Sequence, residues 1–219
     1  MSIYNCDTCD PNDDDDCEDI GDGLSEESEE ENDLSSLPIF NIEIPEPMER
    51  KISLWDDINA KTSENIVRSL IGFAVEDTES PVELWINSPG GDLNHALAMY
   101  DIMQAMPYPI HTIGIGMVAS CAVLILAAGT EGHRGILPNT RCMLHQVLYE
   151  GKGPLIEMEQ IHKEAKMLQK KFCQLLSKHS KQDASYYQNM FGPNTDTYLS
   201  VNKSLKIGLA DYAYTQWHE

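Results

Sequence analysis

Apolar and polar residues follow two kinds of pattern along the chain, and these patterns predict its strands and helices. Short runs rich in apolar and β-branched residues predict strands at 50–55, 82–87, 110–116, 133–137, 141–146 and 210–215. Longer amphipathic stretches predict helices at 63–75, 93–106, about 155–180 and 184–191, and in the segment that ends at Gly208. Because strands and helices alternate, we predict an α/β fold with a mostly parallel sheet covered by helices.

The most apolar stretch of the chain, GMVASCAVLILAAG from Gly116 to Gly129, contains a serine. We predict a buried helix that begins near Ala119, which places Ser120 at the start of this helix. Serine is a favoured N-cap residue, and on this ground alone the cap is the better interpretation. The alternative is a nucleophile at the positive end of the helix dipole, beside an oxyanion site to which the amide of Cys121 contributes.

The 219 residues suit one domain and a tail, and the charge shows where the two divide. Residues 1–36 contain fifteen Asp or Glu and no Lys or Arg, which is most of the formal net charge of −21. A segment of this composition cannot bury enough apolar surface to offset the entropy of ordering. We therefore expect a disordered acidic tail at 1–36 and a folded domain at 37–219. Without a basic surface, nucleic-acid binding is not expected.

Neither a membrane segment nor a metal site is expected from the sequence. The longest apolar run, Met117 to Gly129, is shorter than the ~20 residues needed to cross a bilayer. The N-terminus lacks the basic-then-apolar order of a signal peptide, so a cytoplasmic location is expected. Of the cysteines, the pair in CDTC has metal-ligand spacing, but a closed zinc site needs four ligands. The cysteines of the domain lie among apolar residues and are expected to be free thiols, namely Cys121, Cys142 and Cys173.

Three further segments contain residues suited to chemistry. The turn SPGGD has two adjacent glycines, Gly90 and Gly91, which either form an ordinary turn or present bare amides to a ligand. His145 ends a predicted strand, where a histidine is more often structural than catalytic. Asp196, in NTDTYLS, would ordinarily be an N-cap. Composition and spacing do not establish that these residues act together.

The order of these motifs is nevertheless specific. INSPGGD, GMVASCA, MLHQ, and DTYLS followed by GLAD resemble the proteolytic subunits of the Clp protease family, over residues of about 50 to 215. The resemblance implies a ClpP/crotonase-like fold of repeated β-β-α units with a protruding handle helix. It also implies that Ser120 is a nucleophile, His145 its general base and Asp196 the residue that orients the base. Gly91 and Cys121 would supply the backbone N–H groups of the oxyanion hole.

The resemblance further implies a serine endopeptidase that works without metal or organic cofactor. Its subunits would form a ring homo-oligomer of two stacked heptamers, fed with peptides or unfolded proteins by an AAA+ unfoldase. Two alternatives stay open: a virus-coded or stand-alone protease of the capsid-maturation type, and a non-catalytic ring subunit. An acyl-CoA enzyme of the crotonase type is disfavoured, because the set of Ser120, His145 and Asp196 suits a peptidase.

The chain departs from the family pattern at four places. Cys121 stands where a methionine is usual, Ala122 where a glycine is usual, and Val147 where a proline usually follows HQ. These changes keep the backbone amides but alter the lining of the expected pocket. Residues 38–49, PIFNIEIPEPME, occupy the place of the family's first helix.

Overall fold

The computed structural model describes residues 50–149, 151–191 and 196–214, all within one structural unit. The predicted acidic tail and the boundary predicted at residue 37 lie outside the described residues, as do Cys6, Cys9 and Cys17. Among the described residues, no helix is both long and apolar enough to cross a bilayer.

Strands and helices follow one another along the described residues. The strands are β1 (Lys51–Leu54), β2 (Val82–Ser88), β3 (Ile110–Ala119), β4 (Arg134–Ile136), β5 (Arg141–Leu144), β6 (Thr197–Leu199) and β7 (Tyr212–Ala213). The helices are α1 (Ala60–Glu76), α2 (Leu93–Ala105), α3 (Ala122–Ala127), α4 (Leu155–Lys178), α5 (Ala184–Met190) and α6 (Val201–Ile207). The α/β class is confirmed. Two consecutive strands precede a helix at β4-β5-α4, whereas β1, β2 and β3 each lead directly into one helix.

The sheet is parallel along most of its width. Its main path runs β1-β2-β3-β4-β7, and each neighbouring pair on this path is parallel. β5 pairs in parallel with the end of β3, and β6 pairs antiparallel with β5. The carboxyl ends of parallel strands lie at one side of a sheet. The residues that follow β2, β3 and β5 therefore meet at the same place.

The core lies between the sheet and the helices that cover one of its faces. Along β2, the even-numbered residues are fully buried and the odd-numbered residues are half-buried, so the strand turns its apolar side to the helices. Every residue of α3, sequence AVLILA, is buried between β3 and the neighbouring helices α2 and α4. This burial explains the uninterrupted apolar run of α3, because the helix has no solvent-facing side.

Two element boundaries differ from the sequence-based predictions for identifiable physical reasons. The helix predicted at 63–75 begins at Ala60, because Asn59 and Thr62 form a capping box that extends the helix through a polar first turn. The strand predicted at 110–116 continues to Ala119. At Gly116, where φ is 63°, the register of β3 against β2 shifts, and the rest of β3 pairs with β5.

The long helix α4 has two different halves. Its buried residues are Leu168, Phe172, Cys173, Leu175 and Leu176, all in the half that packs on the domain. No residue of Leu155–Met167 is buried, although Leu155 and Ile156 are apolar and 76% and 72% exposed. The first half of α4 therefore protrudes from the domain, as the resemblance implies for a handle helix.

His179 ends α4 in an environment that disfavours its charged form. Its Nε2 lies 2.9 Å from the hydroxyl oxygen of Tyr100, and its carbonyl accepts a hydrogen bond from the guanidinium of Arg134. Burial, and then the charges of Lys178 and Arg134, lower the pKa of His179 to about 4. The imidazole is therefore neutral in the folded protein at neutral pH.

The lowered pKa of His179 leads to a prediction about the stability of the folded protein. Between about pH 6.5 and pH 4 the unfolded chain binds a proton at His179 that the folded chain does not, so the free energy of unfolding falls as the pH is lowered through this range. The loss attributable to His179 is about 2–3 kcal/mol. Urea unfolding at fixed protein concentration, from pH 7 to pH 4.5, should show a weaker pH dependence for His179→Gln. The exposed His162→Gln should keep the original dependence, and equal slopes in both variants would contradict the assignment.

Candidate active site

A cavity of about 480 Å³ lies at the carboxyl ends of β2, β3 and β5. It is lined by residues from the turn after β2, by Ser120 and Cys121 after β3, and by residues 145–149 after β5. Leu168 and Phe172 of α4 complete the lining. Four separate segments of the chain therefore contribute to one site. Within the described part of the chain, no group of three His, Cys, Asp or Glu side chains could hold a metal ion.

The glycine turn after β2 is held rigidly by its neighbours. The hydroxyl of Ser88 donates to the carbonyl of Asp56 at 2.7 Å and accepts from the N–H of Gly90 at 3.1 Å. The N–H of Ile58 donates to the Gly90 carbonyl at 2.7 Å, and the N–H of Asp92 donates to the Ile58 carbonyl at 2.8 Å. These bonds fix the backbone of the turn beside the cavity.

Glycine is required at both positions of the pair by close backbone approach. At Gly91, where φ is 148°, an added Cβ would lie 2.3 Å from the carbonyl oxygen of Ile58. At Gly90, where φ is 91°, an added Cβ would lie 2.7 Å from the carbonyl oxygen of Ala119. The bonds to Ile58 use the Gly90 carbonyl and the Asp92 N–H, so the N–H of Gly91 faces the opposite side. Cys121 is on this side, with its Sγ 3.5 Å from the Gly91 carbonyl oxygen.

Ser120 occupies a short connection between β3 and α3. Its φ is 55°, an uncommon left-handed value for a residue other than glycine. Its N–H donates to the carbonyl of Met143 at 2.8 Å, and its carbonyl accepts from the N–H of Val123 at 3.1 Å. The backbone of Ser120 is thus tied to β5, the strand that leads to His145.

The interpretation of Ser120 as a helix cap is wrong. The helix begins at Ala122 rather than near Ala119, and its N-cap is Cys121, which forms no side-chain cap bond. The reason is the longer β3, which pairs with β5 through Ala119 and so delays the start of the helix. Ser120 therefore lines the cavity from a left-handed turn and not from the first turn of a helix.

His145 follows the last residue of β5 and is half-buried at the cavity. Its Nδ1 lies 2.6 Å from the carbonyl oxygen of Gln146. A carbonyl oxygen only accepts hydrogen bonds, so Nδ1 carries the proton in this contact. In the neutral imidazole, Nε2 is then the nitrogen with a free lone pair and the one able to accept a proton.

Asp196 lies exposed directly before β6, outside the cavity lining. In the antiparallel pair of β5 and β6, Leu144 is opposite Thr197, so continuing this register by one residue places His145 opposite Asp196. Here Nδ1 of His145 contacts the Gln146 carbonyl oxygen and not the Asp196 carboxylate. The interpretation of Asp196 as an N-cap is wrong, because the residue precedes a strand and Ser200 caps α6.

The thiol of Cys121 is not suited to act as a nucleophile at neutral pH. The residue is buried, and burial raises the pKa of its thiol to about 11. Burial likewise raises the pKa of Cys142 to about 11. The prediction that Cys121, Cys142 and Cys173 are free, buried thiols is confirmed.

The sequence-based search missed Asp92 as a residue of the site. Its side chain caps α2, with Oδ1 accepting from the N–H of Asn94 at 2.7 Å and from that of His95 at 3.4 Å. It also lines the cavity, directly after Gly91. The signal was present in SPGGD, because an aspartate immediately before an apolar helix is a common N-cap.

The fold and this cavity together are typical of an α/β peptidase, with a serine and a histidine at strand ends beside backbone amides. Residues 43–216 match the family model described as Clp protease. The chain therefore belongs to the Clp protease family and is a ClpP-like peptidase. This match confirms the resemblance drawn from the four motifs, all of which lie within the matched residues.

Proposed function

We propose that the protein is a serine endopeptidase. Ser120 is the nucleophile, His145 the general base and Asp196 the residue that orients the base, and the backbone N–H groups of Gly91 and Cys121 bind the oxyanion. The observation that carries this proposal is the cavity itself, which gathers Ser120, Cys121, His145 and Gly91 from three segments of the chain.

In the proposed mechanism, Nε2 of His145 takes the hydroxyl proton of Ser120 as the Ser120 oxygen attacks a peptide carbonyl carbon. The negative charge that develops on the carbonyl oxygen is held by the N–H groups of Gly91 and Cys121. The imidazolium then gives its proton to the leaving amine, and an acyl-enzyme forms at Ser120. A water molecule, deprotonated by Nε2, releases the acid product and restores the serine.

The role of Asp196 requires a rearrangement of the histidine ring. The register of β5 and β6 places His145 opposite Asp196, a spacing at which Cβ atoms of paired residues lie about 4.5–5.5 Å apart. A rotation that moves Nδ1–H from the Gln146 carbonyl to the Asp196 carboxylate would place a negative charge beside the imidazolium. We propose this hydrogen bond for the working enzyme.

The proposed substrates are peptides and unfolded proteins, bound as extended chains between the glycine turn and residues 145–149. Main-chain hydrogen bonds would supply affinity with little demand on sequence outside the residue whose carbonyl carbon is attacked. Members of the Clp protease family typically form oligomeric rings. The exposed apolar residues of the protruding half of α4 support a homo-oligomer, which we propose to be two stacked heptamers in the cytoplasm, fed by an AAA+ unfoldase.

The test uses the full chain on a short fluorogenic peptide and on one protein in folded and unfolded forms. We expect the peptide and the unfolded protein to be cleaved without ATPase and the folded protein to resist, since a closed ring admits only extended chains. His145→Ala should abolish cleavage, whereas His133→Ala, at an exposed position outside the cavity lining, should not.

Each other outcome of this test selects an alternative. Degradation of the folded protein by the chain alone would favour a stand-alone protease. Absence of any cleavage, together with a ring-sized mass by light scattering, would favour a non-catalytic ring subunit. A stable monomer at micromolar concentration would contradict the ring.

A further inference from the structure

We propose that Asp92 makes this enzyme select a basic residue, lysine or arginine, at P1, the substrate residue whose carbonyl carbon is attacked. The inference rests on the proposed peptidase function and adds the substrate preference of the same site. It is carried by the charge of the cavity, by the position of Asp92 and by the bonds that hold its carboxylate.

The charge of the cavity is carried by one acid. Among the described residues that line the cavity, Asp92 is the only carboxylate and none is lysine or arginine. The other lining residues carry no fixed charge, and many are apolar. A substrate side chain that enters this space therefore meets one carboxylate, which the N–H groups at the start of α2 offset in part but no lysine or arginine of the described lining neutralises.

Asp92 lies beside the proposed oxyanion donors. It follows Gly91 directly in the chain. Its charge also acts at the second donor residue: burial is the main cause that raises the pKa of Cys121, and the Asp92 carboxylate contributes in the same direction. Because the oxyanion donors hold the P1 carbonyl oxygen, the P1 side chain begins close to this carboxylate.

The orientation of the carboxylate is fixed by the fold. Both cap hydrogen bonds, from the N–H groups of Asn94 and His95, go to Oδ1 of Asp92. The backbone N–H of Asp92 donates to Ile58 and immobilises the residue from the other side. Neither cap bond uses Oδ2, and the two bonds hold the carboxylate in place before a substrate binds.

The remaining lining suits the rest of a long basic side chain. Val147, Leu168 and Phe172 offer apolar surface to its methylene groups, while the charged end reaches the carboxylate. Asp92 itself is exposed, so water screens part of the attraction between the two charges. The same carboxylate repels an acidic P1 residue, so the site favours basic P1 side chains and disfavours acidic ones.

The test compares three fluorogenic peptides that differ only at P1, with lysine, leucine or glutamate. For the unaltered enzyme we expect kcat/KM to be about fivefold higher for lysine than for leucine, the ratio for a partly exposed charge pair, and lowest for glutamate. In Asp92→Asn the lysine-to-leucine ratio should fall to about one. Asparagine caps helices as well as aspartate does, so α2 should remain intact. Raising the salt concentration should lower the ratio in the unaltered enzyme.

The matched control is Asp101→Asn, which removes the same charge from an exposed position of α2 outside the cavity lining. This variant should keep the lysine preference. A leucine peptide cleaved as fast as the lysine peptide by the unaltered enzyme would overturn the inference, and so would a preference that survives in Asp92→Asn. In both cases cleavage that depends on Ser120 would leave the peptidase proposal standing. Failure to cleave any of the peptides would overturn both.

Discussion

Replacement of Ser120 by alanine is expected to lower the kcat/KM of peptide hydrolysis by about 10⁴-fold or more, because the variant lacks the oxygen that we propose forms the acyl-enzyme. The fold should survive the change. The Ser120 side chain caps no helix, and the bonds that tie this residue to Met143 and Val123 are made by its backbone. We expect the free energy of unfolding to change by less than about 1 kcal/mol.

The measurement combines steady-state kinetics with labelling by a serine-directed fluorophosphonate and mapping of the labelled peptide. Label should appear at Ser120 of the unaltered enzyme and disappear in Ser120→Ala. Ser53→Ala, at an exposed position of β1, is the control and should retain both label and activity. Label or hydrolysis that persists in Ser120→Ala would show that another residue is the nucleophile.

The second large effect is expected on stability, from the loss of the Asp211 carboxylate. Arg134 is 6% exposed, and its guanidinium makes two hydrogen bonds to Asp211, from Nε to Oδ2 at 2.8 Å and from Nη2 to Oδ1 at 2.5 Å. The Asp211 carboxylate also accepts the N–H of Gly132 at 2.8 Å. These bonds join the start of β4 to the residue before β7.

Asp211→Ala would leave the buried guanidinium of Arg134 without its counter-charge, and we expect the free energy of unfolding to fall by about 3–5 kcal/mol. Urea unfolding at neutral pH and fixed protein concentration measures this loss. The control is Glu64→Gln, which breaks the exposed pair of Glu64 and Arg68 and should cost less than about 1 kcal/mol. A loss of similar size in both variants would contradict a special role for the buried pair.

The contribution of the Arg134–Asp211 pair to stability also depends on pH, through the carboxyl group of Asp211. Burial disfavours the charged form of Asp211, but the hydrogen bonds and charge of Arg134 outweigh burial and lower the pKa of this carboxyl. Its contribution to stability is therefore present above the pKa of the unfolded chain. It is lost as the pH falls through the lower pKa of the folded protein.

The sequence by itself determined the elements whose signals are local. The alternation along β2, the apolar stripe of α4 and the glycine after α6 are properties of neighbouring residues, and the predicted elements at these places lie within a few residues of the observed ones. The burial of Cys121, Cys142 and Cys173 followed from their apolar surroundings. Four ordered motifs determined the family, and three of them, INSPGGD, GMVASCA and MLHQ, contain residues that line the cavity.

The tertiary structure decided the end of β3, the conformation of Ser120 and the contents of the cavity. β3 extends to Ala119 because, on the side away from β2, its partner changes from β4 before Gly116 to β5 after it, and no local pattern encodes a partner that is distant in the chain. Ser120 is consequently a left-handed connection and not a cap. Gly91, Ser120 and His145 meet because parallel pairing brings the carboxyl ends of β2, β3 and β5 to one side of the sheet, and this pairing is a long-range property of the folded chain.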